Sequence, residues 1–424
     1  MAQKNNILLA FYGDDFTGST DALEAISKAG AKAILFTDPP TQEQLNQFPD
    51  IDAYGIAGKT RALNPTEMEA DLLPAFQHIK ESGARHVHYK VCSTFDSSPT
   101  IGSIGKAIDC GATIFKNKII PVLGGHPTLG RYCVFGNLFA LMGIGSQGNV
   151  YRLDRHPSMS KHPVAPMNEA DLKIHLSKQT SKSIALIDYV QQQKPLNEWI
   201  TNEEVILLDA TNENELLKIG EWMNNLEEQQ FSVGGSSVEM AFGKYWNHNK
   251  ILIPKTEYKP IEKVNPFLVV SGSCSPVTKA QIEFAKANGS EEIIIDAVKI
   301  CNDEILEEEI TIRIDNYLQQ QKNVIVHTGE KQTNNLSSEK LGTTLGLLAK
   351  HAVEKNKLQR VIVAGGDTSS YAARAMEIDA VEIIASIVVG APLCKAYSKN
   401  KNINGLQINF KGGQVGSENY FTLF

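Results

Sequence analysis

What most constrains this chain is the alternation of short apolar runs with helix-period stretches along nearly its whole length. The runs are ILLAF, AKAILFT, IDAYGIA, HVHYKV, KIIPVL, SIALIDYV, EVILLDA, FLVVSGS, EEIIIDA, NVIVHT, RVIVAGG and AVEII. Helix-period segments fall between them, among them Asp21–Ala29, Glu67–Ser82, Asn212–Leu226 and Val277–Ala287. Strands that alternate with helices pair in parallel, and the helices then cover the sheet faces. At 424 residues the chain exceeds one ordinary core. The segment IPKTEYKPIEKVNP, Ile253–Pro266, sets three prolines among mixed charges between two strand-rich halves and reads as a linker. The predicted architecture is therefore α/β with two domains, residues 1–255 and 256–424. Each carries a mostly parallel sheet flanked by helices, with the active site expected in the cleft between them.

Several strands run into small polar loops from which a helix starts. Residues 7–29 read as strand, GDDFTGST, helix, and the loop places Asp14 and Asp15 side by side. Adjacent like charges at a strand end are costly unless a cation, a donor or a ligand compensates them. SGSCSPVT, containing Ser271 and Ser273, follows the FLVV strand, and AGGDTSS, containing Gly365, Gly366, Asp367 and Thr368, follows RVIV. Gly412 and Gly413 form a further glycine turn in the C-terminal half. In open α/β sheets ligands bind at the carboxyl ends of strands, and loops of this composition suit phosphates. The C-terminal loops thus suit a polyphosphate, and the acidic N-terminal loop suits a hydroxylated substrate. Helix caps alone also favour Gly, Ser and Thr there, and Asp367 reads equally as such a cap. Neither a Walker A nor a Rossmann glycine motif occurs.

The N-terminal half gathers cations at strand ends: Arg61 in AGKTRALNP, Lys90 at the end of HVHYK, and Arg131 in GGHPTLGRY. RLDRHPSMSKHPVAP adds Arg152, Asp154, Arg155 and His156. Beside hydroxyl-rich loops such cations fit a small carboxylate, or else they are surface ion pairs. His126, His156 and His162 each precede a proline in extended segments, without the spacing of a helical ligand pair, so no protein-held metal is expected.

Composition narrows the function classes. A net charge of −7 with scattered Lys and Arg disfavours nucleic acid. Apolar runs such as the one ending at Val389 stay short of the ~20 residues that span a bilayer. The N-terminus passes directly from a short apolar run into acids and does not read as a signal peptide. Six dispersed cysteines without a C-x-x-C pair fit a reduced, cytoplasmic protein without structural zinc.

Together these segments resemble the four-carbon acid sugar kinase family across nearly the whole chain. The resemblance rests on DDFTGSTDA at Asp14–Ala22, YKVCSTFDSSPTIGSIG at Tyr89–Gly105, SGSCSPVTKAQ at Ser271–Gln281, AGGDTSS at Ala364–Ser370 and KGGQVGSENYF at Lys411–Phe421. It implies ATP-dependent phosphorylation of threonate-, erythronate- or 3-oxo-tetronate-type acids, with the acid on the N-terminal domain and ATP on the C-terminal one. By resemblance Asp14, Asp15, Arg61, Lys90, Ser93 and Thr94 fall to the substrate, and Ser271, Gly365–Thr368, Gly412 and Gly413 to the nucleotide. HPTLGR replaces the family's Pro-x-Asn-Gly-Arg-type loop, and KGGQVG its Ser-Gly-Asn-Phe-Gly-like turn. These departures leave the acceptor open, and a branched acid of the 3-oxo-isoapionate type fits as well as threonate or erythronate.

Asp14 or Asp15 is the expected base for the acceptor hydroxyl, with Asp14 favoured. Lys90 and Arg61 are expected to hold the acid's carboxylate, with Arg131, Asp154 and Arg155 as further candidates. Mg²⁺ is expected to be held mainly through nucleotide phosphates. A homodimer is the default assembly. The competing readings are a non-catalytic sugar-acid sensor, or a dehydrogenase or aldolase acting on the same acids.

Overall fold

A computed structural model describes residues 7–142, 148–161, 166–199, 201–258, 260–273, 275–302, 304, 307–329 and 337–424. His162 and Cys274 lie outside the described residues, as does the side chain of Asp367. The chain forms two compact units, one of Met1–Ala33 with Pro39–Lys255, the other of Ile34–Asp38 with Thr256–Phe424.

In the first unit seven strands pair in parallel, in the spatial order Ala53–Ala57, Leu9–Gly13, His86–Lys90, Gln230–Gly234, Ile120–Leu123, Val205–Leu208, Ile184–Ile187. Every residue of Leu9–Gly13 and of His86–Lys90 is buried, as expected of central strands covered by helices on both faces. The register places Gly13 beside Lys90, and Lys90 beside Gly234. Three strand ends therefore open at one level, each followed by a loop and a helix. Arg131–Val134, Asn137–Leu141 and Val150–Arg152 form a small antiparallel sheet that the apolar pattern does not announce.

In the second unit Glu291–Ile294, Val324–His327, Leu268–Ser271, Arg360–Ala364 and Gln407–Lys411 run parallel in that order. Ala391–Tyr397 and Ala380–Val388 then extend the sheet antiparallel. Residues 34–38 join this unit because Leu35 and Phe36 pair with Val381 and Ala380, and because Thr37 Oγ1 donates to the Ile378 carbonyl at 2.9 Å. Phe267, Val269, Ile325, Ile362, Tyr420 and Phe424 pack together, so the chain's end closes this core.

Candidate active site

At the end of the Leu9–Gly13 strand the backbone places Asp14 and Asp15 in different environments. Asp15 caps the Phe16–Lys28 helix: its Oδ1 accepts from the Gly18 N–H at 2.8 Å, and its Oδ2 accepts from Thr17 Oγ1 at 2.9 Å. Arg61 Nη2 also reaches Asp15 Oδ2, at 2.5 Å. Burial pushes the Asp15 carboxyl up, but Arg61, Lys90 and the Thr17 and Gly18 hydrogen bonds outweigh it and hold the group below the usual range.

Asp14 is as buried, at 3% exposure, yet less supported. Its Oδ2 accepts from the Cys92 N–H at 3.3 Å, and its Oδ1 has no hydrogen-bond partner among the described residues. Burial pushes its carboxyl up to about 7, with Asp15 adding to the rise and Arg61, Lys90 and the Cys92 hydrogen bond opposing it. Two neighbouring carboxyls driven apart in this way resolve the awkward pair: one is held ionised and the other is poised near neutrality.

Lys90 ends the adjacent strand and is 2% exposed, with Nζ donating to the Val91 carbonyl at 2.8 Å. Burial works against its charge, but Asp21, Asp14 and Asp15 more than compensate, so the ammonium persists. Gly18 makes room for it, since a Cβ there would sit 2.8 Å from Lys90 Nζ and closer still to Asp15 Oδ1. The loop after Lys90 brings Ser93 and Thr94, with Cys92 Sγ 3.0 Å from Thr94 Oγ1.

The other first-unit candidates divide. Arg131 pairs with His126 through two backbone hydrogen bonds of 2.7 and 3.1 Å. The Arg131 guanidinium donates to the Leu129 carbonyl, while His126 Nε2 lies 2.7 Å from Ser236 Oγ, which donates to Asp21 Oδ2, so a polar side-chain line runs from His126 to the helix beside Lys90. Asp154 instead pairs with Arg152 Nε and Nη2, at 2.7 and 2.6 Å, and with Arg155 Nε at 3.5 Å. Arg155 is 76% exposed, and no contact described for Asp154 or Arg155 ties them to the acid pair.

The sequence reading misses Asp21 and Ser236. Ser236 had a legible signal: Gln230–Gly234, then Gly235 and Ser236, then the Ser237–His248 helix repeat the strand–loop–helix theme. Asp21 lies inside a helix-period segment, where nothing marks it out.

In the second unit three polar loops meet. The Gly365 N–H donates to the Lys411 carbonyl at 2.8 Å, and that of Gly272 to the Ala364 carbonyl at 3.2 Å. Gly365 has φ of +123°, and a Cβ there would stand 2.8 Å from Thr368 Oγ1 and 3.4 Å from the Ser273 nitrogen. A Cβ on Gly413 would stand 2.7 Å from Ser273 Oγ, and Ser275 Oγ donates to the Gly413 carbonyl. Ser271, Ser273, Gly365, Thr368 and Gly413 thus converge, with Gly366 and Gly412 adjoining in the chain. Beside them opens a cavity of about 1010 Å³, whose lining includes Ser273, Ser275, Glu292, Asp296 and His327. Its size suits a ligand with several groups. Among the described residues no group of three His, Cys, Asp or Glu could hold a metal ion, and no helix is long and apolar enough to cross a membrane.

Two family models divide the chain along similar lines. A sugar-binding N-terminal domain matches residues 9–242, and a nucleotide-binding C-terminal domain matches residues 268–421. The chain belongs to the four-carbon acid sugar kinase family. A relative in Paraburkholderia graminis, a 3-oxo-isoapionate kinase, is 38% identical over 98% of this chain and 93% of its own length. A 3-oxo-tetronate kinase of Cupriavidus necator is 25% identical, covering 98% of this chain and 95% of that one. The same fold occurs in a Salmonella typhimurium LT2 structure, with a TM-score of 0.78 and 24% identity over 99% of this chain and 98% of that one. A Haemophilus influenzae protein shares it at a TM-score of 0.71 and 22% identity, covering 98% of each chain. Membership in the kinase family gives the two polar clusters their context: a sugar-binding region holds the acid pair, and a nucleotide-binding region holds the three loops.

Proposed function

We propose that the chain transfers the γ-phosphoryl group of ATP to a hydroxyl of a small sugar acid. The leading acceptor class is a branched five-carbon acid of the 3-oxo-isoapionate type. The relative of that name supports this choice, at 38% identity against 25% for the Cupriavidus necator 3-oxo-tetronate kinase. Four-carbon 3-oxo-tetronate-type acids are the second class.

The observation that carries the reading is Asp14, a buried carboxyl pushed up to about 7 beside the buried ammonium of Lys90. In the proposed reaction the acceptor oxygen bonds to the γ-phosphorus, the bond to the β–γ bridging oxygen breaks, and ADP leaves. Asp14 takes the hydroxyl proton late, as the attacking oxygen gains phosphorus. Asp15 stays ionised against Arg61 and fixes the start of the helix. Lys90, with Arg61 and Arg131, supplies positive charge for the acid's carboxylate, while Ser93 and Thr94 meet its hydroxyls. Asp154 and Arg155 are left outside this set, because their contacts close on each other and on Arg152.

On the second unit Ser271, Ser273, Gly365, Gly366, Thr368, Gly412 and Gly413 offer hydroxyls and peptide N–H groups of the kind that suits phosphates. The neighbouring cavity would take the nucleoside. Mg²⁺ carried on the phosphates would neutralise charge on the transferring group, which fits a donor set made of hydroxyls and peptides.

The test is an ADP-release screen with ATP and Mg²⁺ over branched five-carbon and linear four-carbon sugar acids. Turnover highest with a 3-oxo-isoapionate-type acid is expected, and no acid-dependent ADP release with any of them would overturn the reading. Thermal shift with ATP, ADP and NAD separates it from a sensor or a dehydrogenase, since the kinase reading requires both stabilisation by ATP and turnover.

A further inference from the structure

The Gln407–Lys411 strand ends in a lysine whose side chain is fully buried. Lys411 Nζ donates to the Gly412 carbonyl at 3.0 Å, to Thr278 Oγ1 at 3.1 Å and to the Gly413 carbonyl at 3.5 Å. All three acceptors are neutral, and the described ion pairs include none at Lys411. Tyr420 and Phe421 present their rings to it at 5.7 and 6.0 Å. On the Pro276–Ala287 helix Lys279 and Glu283 are exposed, and Lys286 pairs with Glu283 and Glu292. Glu418, before the terminal turn, is exposed. Arg360 and Lys395 lie at the other end of the neighbouring strands, level with Gln407. The Asp367 side chain, in the first turn of the neighbouring Gly366–Ala375 helix, lies outside the described residues. A buried ammonium without a carboxylate is expensive, and burial alone pulls this one down to about 7.

The orientation of the turn indicates which ligand would offset that cost. In a trans peptide the C=O and the following N–H point in opposite directions. Lys411 gathers the Gly412 and Gly413 carbonyls on its own side, where Thr278 Oγ1 also donates to Gly413 at 2.9 Å. The N–H groups of Gly413 and Gln414 are therefore turned away from Lys411. Successive N–H groups facing one way, backed by a cation, make an anion-binding turn.

We propose that Lys411 is the buried cation of the nucleotide phosphate site, acting through the Gly412–Gly413 turn, and that binding of a nucleoside polyphosphate drives its protonation. This rests on the nucleotide reading given above and adds to it a residue and a proton. The lysine takes up one proton from buffer as the polyphosphate arrives, and no covalent bond changes.

The experiment is calorimetric titration of the whole protein with ADP and Mg²⁺ at pH ~8, in two buffers of different ionisation enthalpy. There a lysine titrating near 7 is ~90% neutral and should take up ~0.9 proton per ADP bound. Lys411→Met should abolish the uptake and weaken ADP at least ~10-fold, and Lys411→Arg should bind ADP without uptake. The wild-type titration stands by itself if a variant does not fold. ADP that binds the wild-type protein with buffer-independent enthalpy overturns the proposal, as does unchanged uptake in folded Lys411→Met. Failure of ADP to bind at all instead overturns the nucleotide reading on which it rests.

Discussion

Arg61 Nη2 stands 2.5 Å from Asp15 Oδ2, while the neighbouring Asp14 keeps a buried Oδ1 with no described partner. Arg61, Lys90 and the Thr17 and Gly18 hydrogen bonds keep one acid of the pair ionised, while burial leaves the other poised near neutrality. With Asp14 as base, Asp14→Asn should lower kcat by ~10²–10⁴ and leave KM for the acid within a few-fold, as steady-state ADP release would report.

The same division sets a pH dependence. The base form of Asp14 is the deprotonated one, so activity is lost as the group protonates. In the wild-type protein kcat/KM should rise tenfold per pH unit up to about 7 and level off above it. A pH profile that is flat from 5.5 to 8.5, to take a range of roughly that width around a group near 7, would contradict the assignment.

Asp15→Asn should act differently. The amide still caps the helix, but the Arg61 pair is lost, at a cost of up to ~1 kcal/mol in a denaturant titration because Arg61 is partly exposed. Removing the Asp15 charge also removes one of the influences that raise Asp14. The acid limb of kcat/KM should therefore move to lower pH, and a limb that stays in place would show that the two carboxyls do not interact.

Gly18→Ala tests the packing of Lys90. The added methyl would meet Asp15 Oδ1 and stand 2.8 Å from Lys90 Nζ, so one of them must shift. Overpacking of this kind costs ~1–3 kcal/mol, and KM for the acid should rise at least ~10-fold, with ADP affinity unchanged by calorimetry.

Gly365→Ala is the counterpart in the second unit. A φ of +123° is open to glycine alone, and the Cβ would press on Thr368 Oγ1. ADP should bind at least ~10-fold more weakly, while the thermal shift produced by the sugar acid stays as in the wild-type protein.

Much of this was legible in the sequence, for identifiable reasons. Every apolar run set out at the start contains or overlaps a strand, because parallel strands buried on both faces need continuous β-branched stretches. The Asp14–Asp15 pair, Lys90 and the three C-terminal loops stood out because polar residues at strand ends break that pattern. Pairing did not show, since Arg61 is 46 positions from Asp15 and only the parallel register brings their loops together. The excursion of residues 34–38 into the second unit was equally hidden, because AILF would suit either sheet. Arg131–Leu141 lacked a signal because its strands are half-exposed and short. In the sequence Lys411 is only the edge of a glycine turn; the fold buries it against the Gly412 and Gly413 carbonyls.

Phosphorus NMR of the product formed from ATP, Mg²⁺ and a 3-oxo-isoapionate-type acid, with wild-type protein and Asp14→Asn side by side, reads both the transfer and the base. The wild-type protein should give a new phosphomonoester signal matched by ADP, and Asp14→Asn a rate lower by ~10²–10⁴. Equal rates would contradict the role given to Asp14, and the absence of any phosphorylated acid, with four-carbon acids as well, would contradict the kinase reading itself.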